Sequence, residues 1–122
     1  GSEMCIETGD NDTLSACVAI LVSADVLINL SDIDGLYDSD PHTNPSAKLI
    51  PTVEKIDDHI LAMAGGAGSD RGTGGVVTKL KAAEIAIGSG IEMFLINGTE
   101  PDLLYELFEG KRIGTHFLAE KE

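Results

Sequence analysis

The hexapeptide Asp25-Val26-Leu27-Ile28-Asn29-Leu30 constrains the fold more than any other segment. It is short, aliphatic and β-branched, and nearly unbroken rather than alternating, as expected of a strand buried on both faces. Such a strand calls for helices above and below a mostly parallel sheet. The flanks offer them. Leu14, Cys17, Val18, Leu21 and Val22 recur at the i, i+3, i+4, i+7, i+8 spacing of a helix face beginning at about Thr13, with Cys17 as a small buried hydrophobe. Asp57 or Asp58 caps a short helix over Ile60, Met63 and Ala64 that stops at Gly65-Gly66. Val76, Leu80, Ala83 and Ile87 mark one face of a further helix ending near Gly88 and Gly90. Pro101 opens a last helix carrying Leu103, Leu104, Leu107 and Phe108, with Gly110 just past its end. Residues 92–96 read as a second strand and 114–118 as a closing one. Residues 35–53 carry Pro41, Pro45 and Pro51 and read as a long excursion with a hairpin around Leu36-Tyr37 and Lys48-Leu49-Ile50. The alternation predicts a layered α/β fold whose ligands gather beyond the carboxyl ends of the strands, at Ser31-Asp32 and Asn97-Gly98.

Composition removes several function classes. The chain has 122 residues, the size of one compact domain, and 43% of them are hydrophobic, enough to fill a core. Eight Lys and Arg face 21 Asp and Glu, a formal net charge of −13 that would repel a phosphate backbone, so no nucleic-acid partner is expected. The longest apolar run, residues 16–22, falls well short of the roughly 18 residues that cross a bilayer, so no membrane partner is expected either. Cys5 and Cys17 form no C-x-x-C pair, which fits a reducing, cytoplasmic setting. Gly1-Ser2 resembles a vector-derived scar, which would leave residues 3–122 as the folding unit.

The segment richest in chemistry is Gly65-Gly66-Ala67-Gly68-Ser69-Asp70-Arg71-Gly72-Thr73-Gly74-Gly75-Val76-Val77-Thr78-Lys79, a glycine loop feeding into a helix. Small residues let backbone N–H groups approach an anion, and the helix N-terminus favours negative charge. Lys79 lies about one turn inside, and helical side chains lean back toward the N-terminus, so its ammonium can reach the loop. Neither a P-loop nor a G-x-G-x-x-G pattern is present, and spacing alone leaves a phosphate cradle and a plain surface loop both open. Gly9-Asp10-Asn11-Asp12 precedes the first helix, where a cap is the simpler reading and an orienting role in an anionic site the other. An EF-hand counted from Asp32 would need glycine where Tyr37 stands, so calcium is excluded, and the turn remains open to a nucleotide or Mg²⁺ contact. His42, His59 and His116 lack metal-ligand spacing and read as surface or edge residues; no resident metal is expected.

Gly9-Asp10-Asn11-Asp12-Thr13-Leu14-Ser15-Ala16, Leu30-Ser31-Asp32-Ile33-Asp34-Gly35-Leu36-Tyr37 and Gly72-Thr73-Gly74-Gly75-Val76-Val77-Thr78-Lys79 resemble, in order and spacing, the glutamate 5-kinase family of amino-acid kinases. Asp40-Pro41, Asn44-Pro45, Ala47-Lys48-Leu49-Ile50-Pro51 and Ala64-Gly65-Gly66-Ala67-Gly68-Ser69 extend the likeness over nearly the whole chain after Glu7. The resemblance implies part of a three-layer α/β/α sandwich. It implies a transferase that phosphorylates the γ-carboxylate of L-glutamate with ATP and Mg²⁺, the first step of proline biosynthesis. By motif, Asn11 would contact glutamate, Asp12 would organise the catalytic lysines, and Ser31 and Asp32 would line the ATP site. Thr73, Gly74, Gly75, Val76, Val77, Thr78 and Lys79 would wrap the nucleotide phosphates, with Lys79 stabilising the phosphoryl group in transfer. The family's first glycine loop with its own lysine, its substrate serine and a second substrate aspartate have no counterpart here, and neither does its C-terminal RNA-modification-type domain. Thr8 stands where the family usually has an aromatic. The chain is therefore expected to be the C-terminal, ATP-binding part of the kinase domain, inactive alone and prone to form homo-oligomers through an unpaired sheet edge. The alternative is a non-catalytic fragment of the same fold that binds nucleotide or associates with itself.

Overall fold

The computed structural model describes residues 4–8, 12–39, 44–64 and 73–119. The elements run β1 (Met4–Thr8), α1 (Asp12–Leu21), β2 (Val26–Ser31), β3 (Thr52–Val53), α2 (Asp58–Ala64), α3 (Thr73–Gly88), β4 (Glu92–Asn97), α4 (Pro101–Phe108) and β5 (Thr115–Phe117). One sheet holds the strands in the order β1-β2-β4-β5-β3. β1 with β2, β2 with β4 and β3 with β5 pair in parallel; β4 with β5 is antiparallel. The sheet is thus mostly parallel, and the expected α/β class holds.

Parallel neighbours require crossover connections. α1 links β1 to β2, and α3 leads into β4 through a tight turn in which Ile91 N–H donates to Ala86 O. α1 and α3 pack on each other and share one apolar cluster with Leu27 of β2, Met93 and Leu95 of β4, and Phe117 of β5. Burying side chains of this size contributes about 1.5–3 kcal/mol each. Because alternate strand residues face opposite sides, Ile28 and Ile96 point to the other face, where they too are buried. α4 packs against β4, and its Leu107 lines the same depression as Phe94 and His116. Helices therefore cover both faces, as a three-layer arrangement demands.

Several expected details hold for clear local reasons. Asp57 Oδ1 accepts the Ile60 N–H at 3.0 Å, capping α2. Leu80, Ala83 and Ile87 are buried on the expected face of α3, with Val76 packed against the cluster. α4 begins on Pro101, and Gly110 (φ +91) closes it by donating to Leu107 O. In the excursion, Tyr37 and Leu49 form an antiparallel bridge, with Asp38 N–H donating to Lys48 O and Ile50 N–H to Leu36 O. Thr115 Oγ1 fastens this excursion to β5, accepting from Leu36 N–H at 2.8 Å and donating to Ile50 O at 2.7 Å.

Other details differ. The fully buried residues of α1 are Ala16 and Ala19; of the expected stripe Val18 packs against the cluster, whereas Cys17 is exposed, Leu21 is 82% exposed, and Val22 beyond the helix is 55% exposed. The cause is the neighbouring helix, whose Ala82, Ala83 and Ala86 are fully buried. Small residues on both partners allow close approach, and Ile20 and Leu21 turn toward solvent. The Leu14 side chain lies outside the described part. β1 and β3 form strands where none was expected. Met4 and Ile6 of β1 are 47% and 42% exposed, so that strand lacks the two-sided apolar signature, and β3 has only two residues. His116 is not an edge residue: it sits on β5 between β4 and β3, stacked on Phe94 and bonded to Glu92 Oε1. His59 is exposed, and His42 lies outside the described residues. No helix among the described residues is long and apolar enough to cross a membrane.

Candidate functional site

The carboxyl ends of β2 and β4 stand side by side, with Ser31 paired to Asn97. Immediately beyond, Gly98 N–H donates to Ser31 O at 2.6 Å. A Cβ on Gly98 would lie 2.7 Å from Leu30 Cβ, so glycine permits this close approach of the two strand ends. Ser31 is buried; its Oγ accepts Ile33 N–H at 3.2 Å and donates toward Asp32 Oδ1 at 3.4 Å. This local turn leaves the Asp32 side chain exposed at the rim.

The next turn of chain is tied across the sheet end. Asn97 Nδ2 donates to Asp34 Oδ1 at 3.0 Å, and Tyr37 Oη donates to Asp34 Oδ2 at 3.1 Å. Asn97 Oδ1 accepts from Thr99 N–H at 2.8 Å and from Thr99 Oγ1 at 2.5 Å. Two donors on Oδ1 fix the amide so that its NH₂ faces Asp34. Burial raises the Tyr37 phenol above its ordinary pKa, and the hydrogen bond to Asp34 and that carboxylate's charge push it in the same direction.

Topology brings two helix starts to the same end of the sheet. α1 follows β1, so Asp12 begins it at the carboxyl end of the parallel strands. α3 runs back to the start of β4, so Thr73, Gly74 and Gly75 begin it at that end as well. Val76, Val77 and Lys79 are half-buried within α3, and Thr78 is exposed; Thr78 and Lys79 each have a polar partner. Lys79 stands about 9 Å along the axis from the helix start, at the usual rise per residue. Asn11 and the glycine loop up to Gly72 lie outside the described residues, as does the stretch from Gly9 to Asp10. Among the described residues no group of three or more His, Cys, Asp or Glu is arranged to hold a metal ion. The sequence assigns no role to Asp34 or Tyr37, and it marks Asn97 as a strand end where ligands gather but not as a partner of Asp34. Asp34 and Asn97 are 63 positions apart, and no local pattern reports such a pairing.

A mostly parallel sheet with helices on both faces defines an α/β sandwich, and the starts of α1 and α3 lie at the carboxyl end of its parallel strands. Residues 3–97 match the Amino acid kinase family, and the chain belongs to it. Among similar proteins is the glutamate 5-kinase of Clostridium perfringens, 57% identical over 113 residues, covering 93% of this chain and 42% of that protein. That of Clostridium tetani is 55% identical over 116 residues, covering 95% of this chain and 43% of that protein. The chain therefore spans less than half the length of these relatives. Among solved structures, T. acidophilum isopentenyl phosphate kinase superposes with a TM-score of 0.63 at 27% identity, over 87% of this chain and 38% of that one. Aspartate kinase from Synechocystis, at 23% identity and a TM-score of 0.61, shares the fold over 91% of this chain and 16% of that one.

Proposed function

We propose that this chain is the C-terminal, ATP-binding part, residues 3–122, of a cytoplasmic glutamate 5-kinase. The observation that carries the reading is the identity of 54–57% to glutamate 5-kinases over more than nine-tenths of the chain. In the reaction an oxygen of the glutamate γ-carboxylate attacks the γ-phosphorus of ATP, the bond from that phosphorus to the β-bridging oxygen breaks, and γ-glutamyl phosphate and ADP result. A carboxylate nucleophile has no proton to lose, so no general base is needed; catalysis rests on positioning and on stabilising negative charge.

The roles follow that requirement. Ser31 and Asp32 line the nucleotide, and residues 73–79 wrap its phosphates with backbone N–H groups at the start of α3. Lys79 meets the phosphoryl oxygens in transfer, Asp12 orients the cations of the site, and Asn11 contacts glutamate. Mg²⁺ arrives with the nucleotide, since it is commonly held by phosphate oxygens and one or two carboxylates rather than by an all-protein cage. The exposed Asp32 carboxylate is the group that would hold it beside the nucleotide. When bound, the ion neutralises charge on the nucleotide's terminal phosphates.

A second reading has its own observation. Met4, Ile6, Ile20, Leu21 and Val22 are all exposed large hydrophobics, and among the described residues β1 has a strand neighbour on one side only, which favours a fragment that associates with itself. Calorimetric titration of MgATP, run beside a coupled assay of ADP release with and without L-glutamate, separates the two. Saturable MgATP binding without glutamate-dependent turnover is expected of the ATP-binding part alone. Absence of binding would overturn the nucleotide site, and glutamate-dependent turnover by this chain alone would overturn its incompleteness.

A further inference from the structure

The loop after β2 is pinned to the end of β4 twice. The first pin is Gly98 N–H on Ser31 O, and the second is Asn97 Nδ2 on Asp34 Oδ1. Asp32 lies between them. Its own contacts in the turn are local, from the neighbouring Ser31 hydroxyl, so the direction in which its carboxylate leaves the sheet depends on where Ser31 and Asp34 are held. Asp34 is the hub of the second pin. One of its oxygens takes the Asn97 amide and the other the Tyr37 hydroxyl, and Thr99 locks the Asn97 amide from behind through two bonds to Oδ1. Downstream, Leu36 N–H on Thr115 Oγ1 anchors the chain again, so Asp34 is exposed yet sits in a segment fixed on both sides.

We propose that Asp34 is a positioning residue: by bridging Asn97 and Tyr37 it holds the Ser31–Asp32 turn at the spacing from β4 that the nucleotide requires, without itself touching the nucleotide. The inference rests on the nucleotide-site reading above and adds a residue and a mechanism to it. Without Asp34 the turn loses its tie to Asn97 and Tyr37 and is held by the Gly98 anchor, the packing of Ile33 and the downstream Thr115 bond, so Asp32 gains freedom that must be lost again on binding. Asn97 and Asp34 then act as one unit, so removing either removes the same constraint.

The test is a cycle on MgATP affinity by calorimetry with Asp34→Ala, Asn97→Ala and the double variant, together with the near-isosteric Asp34→Asn, and thermal unfolding of each. Each alanine variant is expected to bind MgATP about tenfold more weakly, as for one lost hydrogen bond to a charged group, with the double no weaker than either single. Asp34→Asn keeps an oxygen that can accept from Asn97, so it is expected to fall between the unaltered chain and Asp34→Ala. This graded rescue and non-additivity distinguish positioning from general destabilisation, which changes the melting temperature and leaves the affinity of the folded fraction alone. Unchanged affinity in the alanine variants, or additive losses, would overturn the proposal while leaving the nucleotide site standing. Failure of the unaltered chain to bind would overturn both. If Asp34→Ala does not fold, Asn97→Ala and Asp34→Asn decide the question.

Discussion

Lys79 is the residue on which the proposed phosphoryl chemistry depends most. It is half-buried inside α3, a helix whose side chains lean as a rule toward the helix start, where backbone N–H groups favour an anion. Lys79→Ala is expected to weaken MgATP binding by about 1.5–3 kcal/mol, the range for hydrogen bonds to charged groups, as read by calorimetry. Tyr37 offers a spectroscopic probe, because the chain has two tyrosines and no tryptophan and Tyr105 is 68% exposed. The Tyr37 phenol has its pKa raised in the folded chain, so its contribution to stability is present below the ordinary phenol range and is lost as pH rises through the folded value. Asp34→Asn removes the carboxylate charge, and the Tyr37 phenol transition in an ultraviolet titration should move down. An unmoved transition would show that Asp34 does not act on Tyr37. Lys79 and Ser31-Asp32 stand out in the sequence as candidates because a glycine loop before a helix and a polar break after a buried strand are local signals. Asp34 could not, because its meaning comes from Asn97 on another strand.

At the scale of elements, α1 and α3 decide how well the sandwich holds together. The sequence revealed α3 correctly because its apolar face is also its buried face, with Leu80 and Ile87 on it. In α1 the hydrophobic periodicity points only partly to the core: Val18 packs on it, whereas Leu21 does not. Alanines carry little weight in such a pattern, yet Ala16 and Ala19 are what a close helix–helix contact needs. The contrast is measurable in denaturant unfolding. Leu80→Ala should cost about 2–5 kcal/mol, the range for opening a cavity in a core. Leu21→Ala should fall within about 0.5 kcal/mol of the unaltered chain, since the side chain is 82% exposed. Equal losses would mean that α1 buries the stripe that periodicity suggests. The strands show the same division: β2 and β4 were legible from their apolar runs, whereas β1 and β3 become strands only through neighbours distant in sequence.

For the whole molecule, the asymmetry between the two sides of the sheet matters most. One end of the strand order is β1, unpaired on its outer edge among the described residues and bearing exposed Met4 and Ile6. An open, apolar edge is a template for pairing with another chain. Concentration-dependent association by light scattering is therefore expected, reduced by Ile6→Lys, despite the net charge of −13 that opposes it. A monodisperse monomer across the concentration range would contradict this. The central claim concerns the opposite feature, the carboxyl end where β2, β4 and the starts of α1 and α3 meet. The most direct test is a ¹H–¹⁵N NMR titration of the chain with MgATP. Shifts concentrated in residues 31–34, 73–79 and 97–99 are the result expected. Shifts confined instead to the depression under α4, around Phe94, Arg112 and His116, or no shifts at all, would contradict it.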